Sequence, residues 1–199
     1  LLRQPSTLAP LADPAVLAAR RVALGAPRMA PLRAFAAGLR AVHGATPDFD
    51  PADAGPAARV LLLLETPGPA IGRTGFVSMD NPTGTSANLR RFLAEAGLDR
   101  SRLAIWNTVP WVIHTGGPNR APKPAEIRGG LAALPALLPH LPGLRCVVLA
   151  GRVAGLAAPL LGSLRPDVRV VHVPHPSPTY VCTSPAIPRR IVAGFKEAA

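Results

Sequence analysis

Four segments of the chain set hydrogen-bonding or ionisable residues directly behind apolar runs. Glu65-Thr66-Pro67-Gly68 follows RVLLLL at 59–64, and Asn107-Thr108 follows LAIW at 103–106. Gly151-Arg152 follows RCVVLA at 145–150, and Pro174-His175-Pro176-Ser177-Pro178 follows VRVVHV at 168–173. Together they hold a carboxylate, an amide that both donates and accepts, a guanidinium beside a glycine, and an imidazole. Such a set can support a cation, read the edge of a ligand, hold a phosphate and donate a hydrogen bond or a proton. A lone histidine is commonly structural, but Pro174 and Pro176 constrain His175 in a way that packing rarely requires. Asn107 has a plainer alternative, capping the turn at a strand end through backbone bonds.

These groups can act together only if the chain brings them to one place. The four apolar runs are continuous rather than alternating, as in parallel strands covered on both faces. Amphipathic stretches of helical length lie between them: 85–96 stopped by Gly97, 124–138 opened by Pro124, and 152–161. This βαβ alternation predicts an α/β fold. Ligands of such sheets bind outside the carboxyl ends of the strands, so four loops distant in sequence converge on one pocket. Residues 1–56 read as a helical segment, with Ala and Leu periodicity at 14–24 and 31–42, followed by a Pro/Asp/Gly linker at 44–56. Residues 57–199 read as the core of the same single domain, closed by a helix over about 187–198.

The 199 residues include 22 Lys+Arg against 11 Asp+Glu, a formal charge of +11, and 48% are apolar. A chain of this length and apolarity buries roughly two-thirds of its unfolded surface, so disorder is not expected. With Cys146 and Cys182 as its two cysteines, it cannot build a four-cysteine zinc site or iron–sulfur cluster, and a reducing cytoplasm suits it. No apolar run approaches the roughly 18 residues that span a bilayer, and the Arg-bearing, Pro-interrupted start lacks the apolar core of a signal peptide. Twenty of the basic residues are Arg in a chain rich in Ala, Pro and Gly, so GC-rich coding accounts for part of the charge. The distribution is nonetheless uneven: from Arg100 onward there are 12 basic residues and three acids. Nucleic acid is the commonest partner of such a field, although an anionic membrane or a solvated face carries the same signature.

ETPG at 65–68, Gly75-Phe76-Val77-Ser78 further on, WNTVPW at 106–111 and HPSP at 175–178 occur in an order that resembles the uracil-DNA glycosylase superfamily over 59–181. The first motif is nearer the Glu-Ala-Pro-Gly form of the iron–sulfur branch than the Gln-Asp-Pro-Tyr-His form of family 1. The four cluster cysteines of that branch are absent, so the resemblance is to a divergent, cluster-free member without cofactor or metal. It implies a three-layer α/β/α sandwich around a central four-stranded parallel sheet.

The resemblance also assigns roles. Thr66, Gly68, Phe76, Asn107 and His175 would bind a flipped uracil, and Glu65, Asn107 and His175 would be catalytic. Asn107 would accept from uracil N3–H and donate to O4, polarities that cytosine reverses, at roughly 1–3 kcal/mol for each unpaired group. Phe76 would stack on the base, with core packing as its alternative; Trp106 and Trp111 read as core and pocket wall. His175 would donate to uracil O2 as the base leaves as an anion, or act as general acid. Glu65 would support the sugar cation or the water, with Asp80 in reserve, because Thr66 stands where family 1 has an aspartate. Gly68 replaces the tyrosine that excludes the thymine methyl. Thr85, Ser86, Gly151, Arg152 and Ser177 would hold phosphates, Thr179 and Tyr180 would wedge the duplex, and Arg189 and Arg190 would add contacts. His172 reads as structural.

The expected activity is that of a monofunctional uracil-DNA glycosylase. It would hydrolyse the N-glycosidic bond of a flipped deoxyuridine to an abasic site and so initiate base excision repair. It would work as a monomer on uracil-containing DNA, in the bacterial cytoplasm at the nucleoid. The alternatives are a mismatch glycosylase of broader base tolerance, a weakly catalytic protein that holds uracil or abasic sites, and an α/β enzyme acting on a small phosphorylated substrate.

Overall fold

The four apolar runs form the strands expected of them, in a computed structural model that describes residues 9–68, 70–114 and 120–199. The first eight residues, where the start was read against a leader, lie outside this description. In chain order the elements are α1 (Pro14–Leu24), α2 (Ala30–His43), β1 (Asp48–Phe49), β2 (Val60–Leu64), α3 (Ile71–Thr74), β3 (Phe76–Val77), α4 (Gly84–Ala96), β4 (Leu103–Asn107), α5 (Pro124–Leu137), β5 (Cys146–Ala150), α6 (Arg152–Gly155), α7 (Ala158–Leu164), β6 (Arg169–Val173), α8 (Pro178–Val181) and α9 (Ala186–Ala198). No helix among the described residues is long and apolar enough to cross a membrane.

The central sheet has the order β4-β2-β5-β6, and every pair is parallel. β2, β4 and β5 are buried along their whole length, which is why they read as unbroken apolar runs. Helices cover both faces. Close packing of α9 on one face depends on Gly194, where a Cβ would lie 2.2 Å from Val173 Cγ1. α6 covers the other, with Gly155 facing His172, which alternates to the opposite side of β6.

Three expectations need correction. β6 is not a buried strand: it lies at the sheet edge, where Arg169 and His172 are exposed while Val171 and Val173 are buried. The stretch at 44–56 is not a linker either. β1 pairs in parallel with β3, Asp48 opposite Phe76, and Phe49 stacks on Trp106 with ring centroids 3.8 Å apart and planes 5° from parallel. Its Pro, Asp and Gly content signals turns, but its aspartates make tertiary ion pairs that composition does not reveal. The helix expected at 152–161 is divided into α6 and α7, with Pro159 in the first turn of the second.

Those ion pairs join four distant segments behind the wall of the cleft. Arg20 of α1 donates to Asp50 and, at 3.0 Å, to Asp80. Arg100 donates to Asp53 and Asp80 at 2.6 Å and to Asp50 at 2.7 Å. Ser78 donates to Asp50 as well. Burial holds the Asp53 carboxyl well above the usual carboxylate range, and its Oδ2 is buried without a partner among the described residues. Removing Arg100 leaves Asp53 with no cationic partner among the described residues and Asp50 and Asp80 with Arg20 alone, so Arg100→Ala is expected to destabilise the fold by about 3–5 kcal/mol, read by denaturant unfolding. Asp53→Asn, a neutral isostere of an acid already biased toward its neutral form, is expected to cost much less. Equal losses would contradict this account of the cluster.

Candidate active site

The strand register sets the geometry of the site. Leu64 lies opposite Asn107, Leu63 opposite Leu149, and Ala150 opposite Val173, so all four strands end at one level. The turns that follow are tied together there. Thr108 donates to Leu64 O from both its backbone nitrogen, at 2.8 Å, and its hydroxyl, at 2.9 Å; Val109 N donates to Glu65 O at 3.0 Å. Across the sheet, Gly151 N donates to Val173 O at 2.8 Å. These bonds gather the Glu65, Asn107, Gly151 and His175 loops around one cleft of about 830 Å³.

Glu65, Thr66, Gly68, Asn107, Gly151, Arg152, His175 and Ser177 all line this cleft, with Thr85 and Ser86 at the start of α4 and Thr179 and Tyr180 on α8. Asn107 is 2% exposed, and among the described residues its amide has no hydrogen-bond partner. Among the described residues the Asn107 side chain makes no turn-capping bond, and Thr108 supplies the bonds that close the turn. Glu65 is half-buried, and its carboxyl is raised above the usual range by burial, against the opposing pull of Arg152.

His175 Nδ1 accepts from Ser177 N at 3.1 Å, which in the neutral ring leaves the proton on Nε2. Burial lowers its pKa below the ordinary value, favouring that neutral ring. Gly151, at φ +90°, makes room for it: a Cβ there would come within 3.0 Å of His175 Cβ.

Other expected residues lie elsewhere or are already committed. Phe76 is buried at 2% exposure and does not line the cleft; the strand's alternation presents Val77 there instead. Asp80 does not line it either, being held by Arg20 and Arg100, and so is not a reserve for Glu65. The Ser86 hydroxyl donates its one proton to Ser78 O at 3.0 Å, which removes that proton from phosphate binding. Trp106 packs on Phe49 and Trp111 on His43, both away from the cleft lining. Of the arginine pair on α9, Arg190 reaches the cleft and Arg189 does not. His172, read as structural, is exposed and touches the cleft edge.

Sequence reasoning missed Arg120 and Asn81. Arg120 lines the cleft while donating to Glu126 at 2.6 and 2.9 Å, which pulls the Glu126 carboxyl down to about 2. The pattern Lys123-Pro124-x-Glu126, a capped helix start, is the signal that marks this loop as ordered. Asn81 lines the cleft but is tied to Thr74 and to Phe76 O at 2.8 Å each, so it shapes the wall. Cys146 is buried in β5 and Cys182 is exposed after α8, and two thiols cannot supply the four ligands of an iron–sulfur cluster.

A family model, the uracil DNA glycosylase superfamily, matches residues 51–193. No curated protein sequence matches the chain. Among solved structures, the chain is similar to a Methanosarcina acetivorans protein, provisionally named a uracil DNA glycosylase and solved by solution NMR. The identity is 18%, with a TM-score of 0.49, covering 71% of this chain and 91% of that one.

Proposed function

The chain belongs to the uracil DNA glycosylase superfamily, and from that premise we propose that it hydrolyses the N-glycosidic bond of a deoxyuridine flipped into the cleft. The observation that carries this reading is Asn107, which ends β4 at 2% exposure and lines the cleft together with His175 and Glu65. A primary amide there offers one acceptor and one donor to a ligand edge that carries the complementary pair, and a mismatched edge costs roughly 1–3 kcal/mol for each group it leaves unpaired. Uracil N3–H and O4 are the complementary pair.

His175 faces the same cleft as a neutral imidazole whose free proton is on Nε2. Donation to O2 stabilises the uracil anion as it forms, without a proton transfer. This favours the hydrogen-bond donor over the general acid, because a ring whose pKa burial lowers is a poor source of protons at neutral pH. Glu65, as carboxylate, supports the cationic sugar or the attacking water. Arg152 and Arg190 line the cleft and suit the phosphates on either side of the flipped nucleotide, while Arg120 is paired with Glu126 at its rim.

The chain has two lysines, Lys123 and Lys196, and neither lines the cleft. The absence of a lysine amine from the cleft lining among the described residues supports an intact abasic site as the product. Strand scission of a single-uracil oligonucleotide should therefore require alkali after incubation; scission without alkali would contradict the monofunctional reading.

Broader base tolerance is a second reading, favoured by Gly68. A Cβ at that position would meet nothing within 4 Å, so position 68 itself sets no side chain against a substituent on the base. Gly68→Tyr is expected to abolish any release of thymine from T:G while retaining release from U:G. Thymine release that persists in Gly68→Tyr would place thymine discrimination elsewhere.

A further inference from the structure

One peptide unit connects α4 to the imidazole of His175. The carbonyl of Pro176 and the N–H of Ser177 belong to the same planar peptide. Its N–H donates to His175 Nδ1 at 3.1 Å. Its carbonyl accepts from Nδ2 of Asn88, 88 positions earlier in the chain, at 2.9 Å. The Asn88 amide is itself oriented, since Arg91 Nη2 donates to its Oδ1 at 3.2 Å and leaves Nδ2 to face Pro176. Asn88 does not line the cleft.

We infer that Asn88 is a positioning residue for His175, acting through the Pro176–Ser177 peptide to hold Nδ1 as an acceptor and the Nε2 proton toward the cleft. This rests on the glycosylase reading for its effect on rate, but not for its effect on the ring. The proline-rich loop needs such an anchor: Pro174, Pro176 and Pro178 have no N–H, so its backbone can donate few bonds to the rest of the fold. α4 suits the task because it is a 13-residue helix, capped by Thr83 and packed on α9. It also lies against the same loop at Gly84, where a Cβ would come within 2.4 Å of Pro178 Cγ. Donation to the carbonyl polarises the peptide and strengthens its N–H as a donor.

A displacement of about 1 Å at a catalytic group can lower a rate by roughly a hundredfold, so Asn88→Ala is expected to slow single-turnover base release by about ten- to a hundredfold. DNA affinity should be unchanged. Asn88→Asp keeps the size but turns an acceptor toward the Pro176 carbonyl, and is expected to be as slow as alanine or slower; a packing role would rank Asp above Ala. In a His175→Ala background, Asn88→Ala should produce no further loss, because the two act as one unit.

The independent readout is the ¹⁵N signature of the His175 ring, assigned by its disappearance in His175→Ala. It should report the Nε2–H tautomer in the wild type and a mixture of tautomers in Asn88→Ala. An unchanged ring signature, or losses that add in the double variant, would overturn the inference. If the wild type releases no base but the signature still shifts, the glycosylase reading fails and the coupling of Asn88 to His175 stands.

Discussion

His175→Ala should lower the single-turnover rate of uracil release by roughly a hundredfold or more, the usual consequence of removing one donor from a developing anion. The fold should survive, because the imidazole is at the surface of the cleft and its loss leaves only the Ser177 N–H without an acceptor. Binding of uracil-containing DNA should change little, since the donor acts on charge that exists only late in the reaction. A variant that keeps the full rate would remove His175 from the chemistry.

The pH dependence gives the same assignment an independent sign. Burial lowers the pKa of His175, so the neutral ring persists through neutral pH and the rate should be level there. Protonation at lower pH would place a proton on Nδ1, against the Ser177 N–H that now points at it, and the rate should fall. A general acid would give the opposite slope, with a rate that rises as the solution is made acidic. Glu65 contributes a second acidic limb, moved up from its ordinary position by burial, because its carboxylate form is the one needed. Glu65→Gln should remove that limb and leave the one that belongs to His175.

Asn107→Asp carries the other large effect, and it falls on selectivity rather than on rate alone. A carboxylate accepts from the cytosine amino group and repels uracil O4, so the preference for uracil over cytosine should fall roughly ten- to a hundredfold, about 1–3 kcal/mol. Competition between U:G and otherwise identical C:G duplexes measures it directly. Undiminished preference would mean that Asn107 does not read the base edge.

Much of this site is legible in the chain because its parts are local. Each turn sits directly behind an apolar run, and parallel strands in flush register bring Glu65, Asn107, Gly151 and His175 together without further information. What cannot be read locally depends on partners far away in sequence. Asp50, Asp53 and Asp80 look like turn residues until Arg20 and Arg100 are found beside them, and two-residue strands such as β1 and β3 carry too little pattern to stand out. Phe76 illustrates a finer limit: its motif position suggests the cleft, but the face on which it falls is decided by the pleat of a two-residue strand. Asn88 gave no signal of its own, since an asparagine on a helix is unremarkable until the carbonyl it meets is known.

The most direct test of the central claim is single-turnover release of free base from matched oligonucleotides bearing U:G, U:A, single-stranded U and T:G. The protein should release uracil and leave an alkali-labile abasic site, with T:G showing whether the open space at Gly68 admits the methyl group. Tight binding to the same DNA with no base released from any of the four would contradict a glycosylase and leave a protein that recognises the lesion without cutting it.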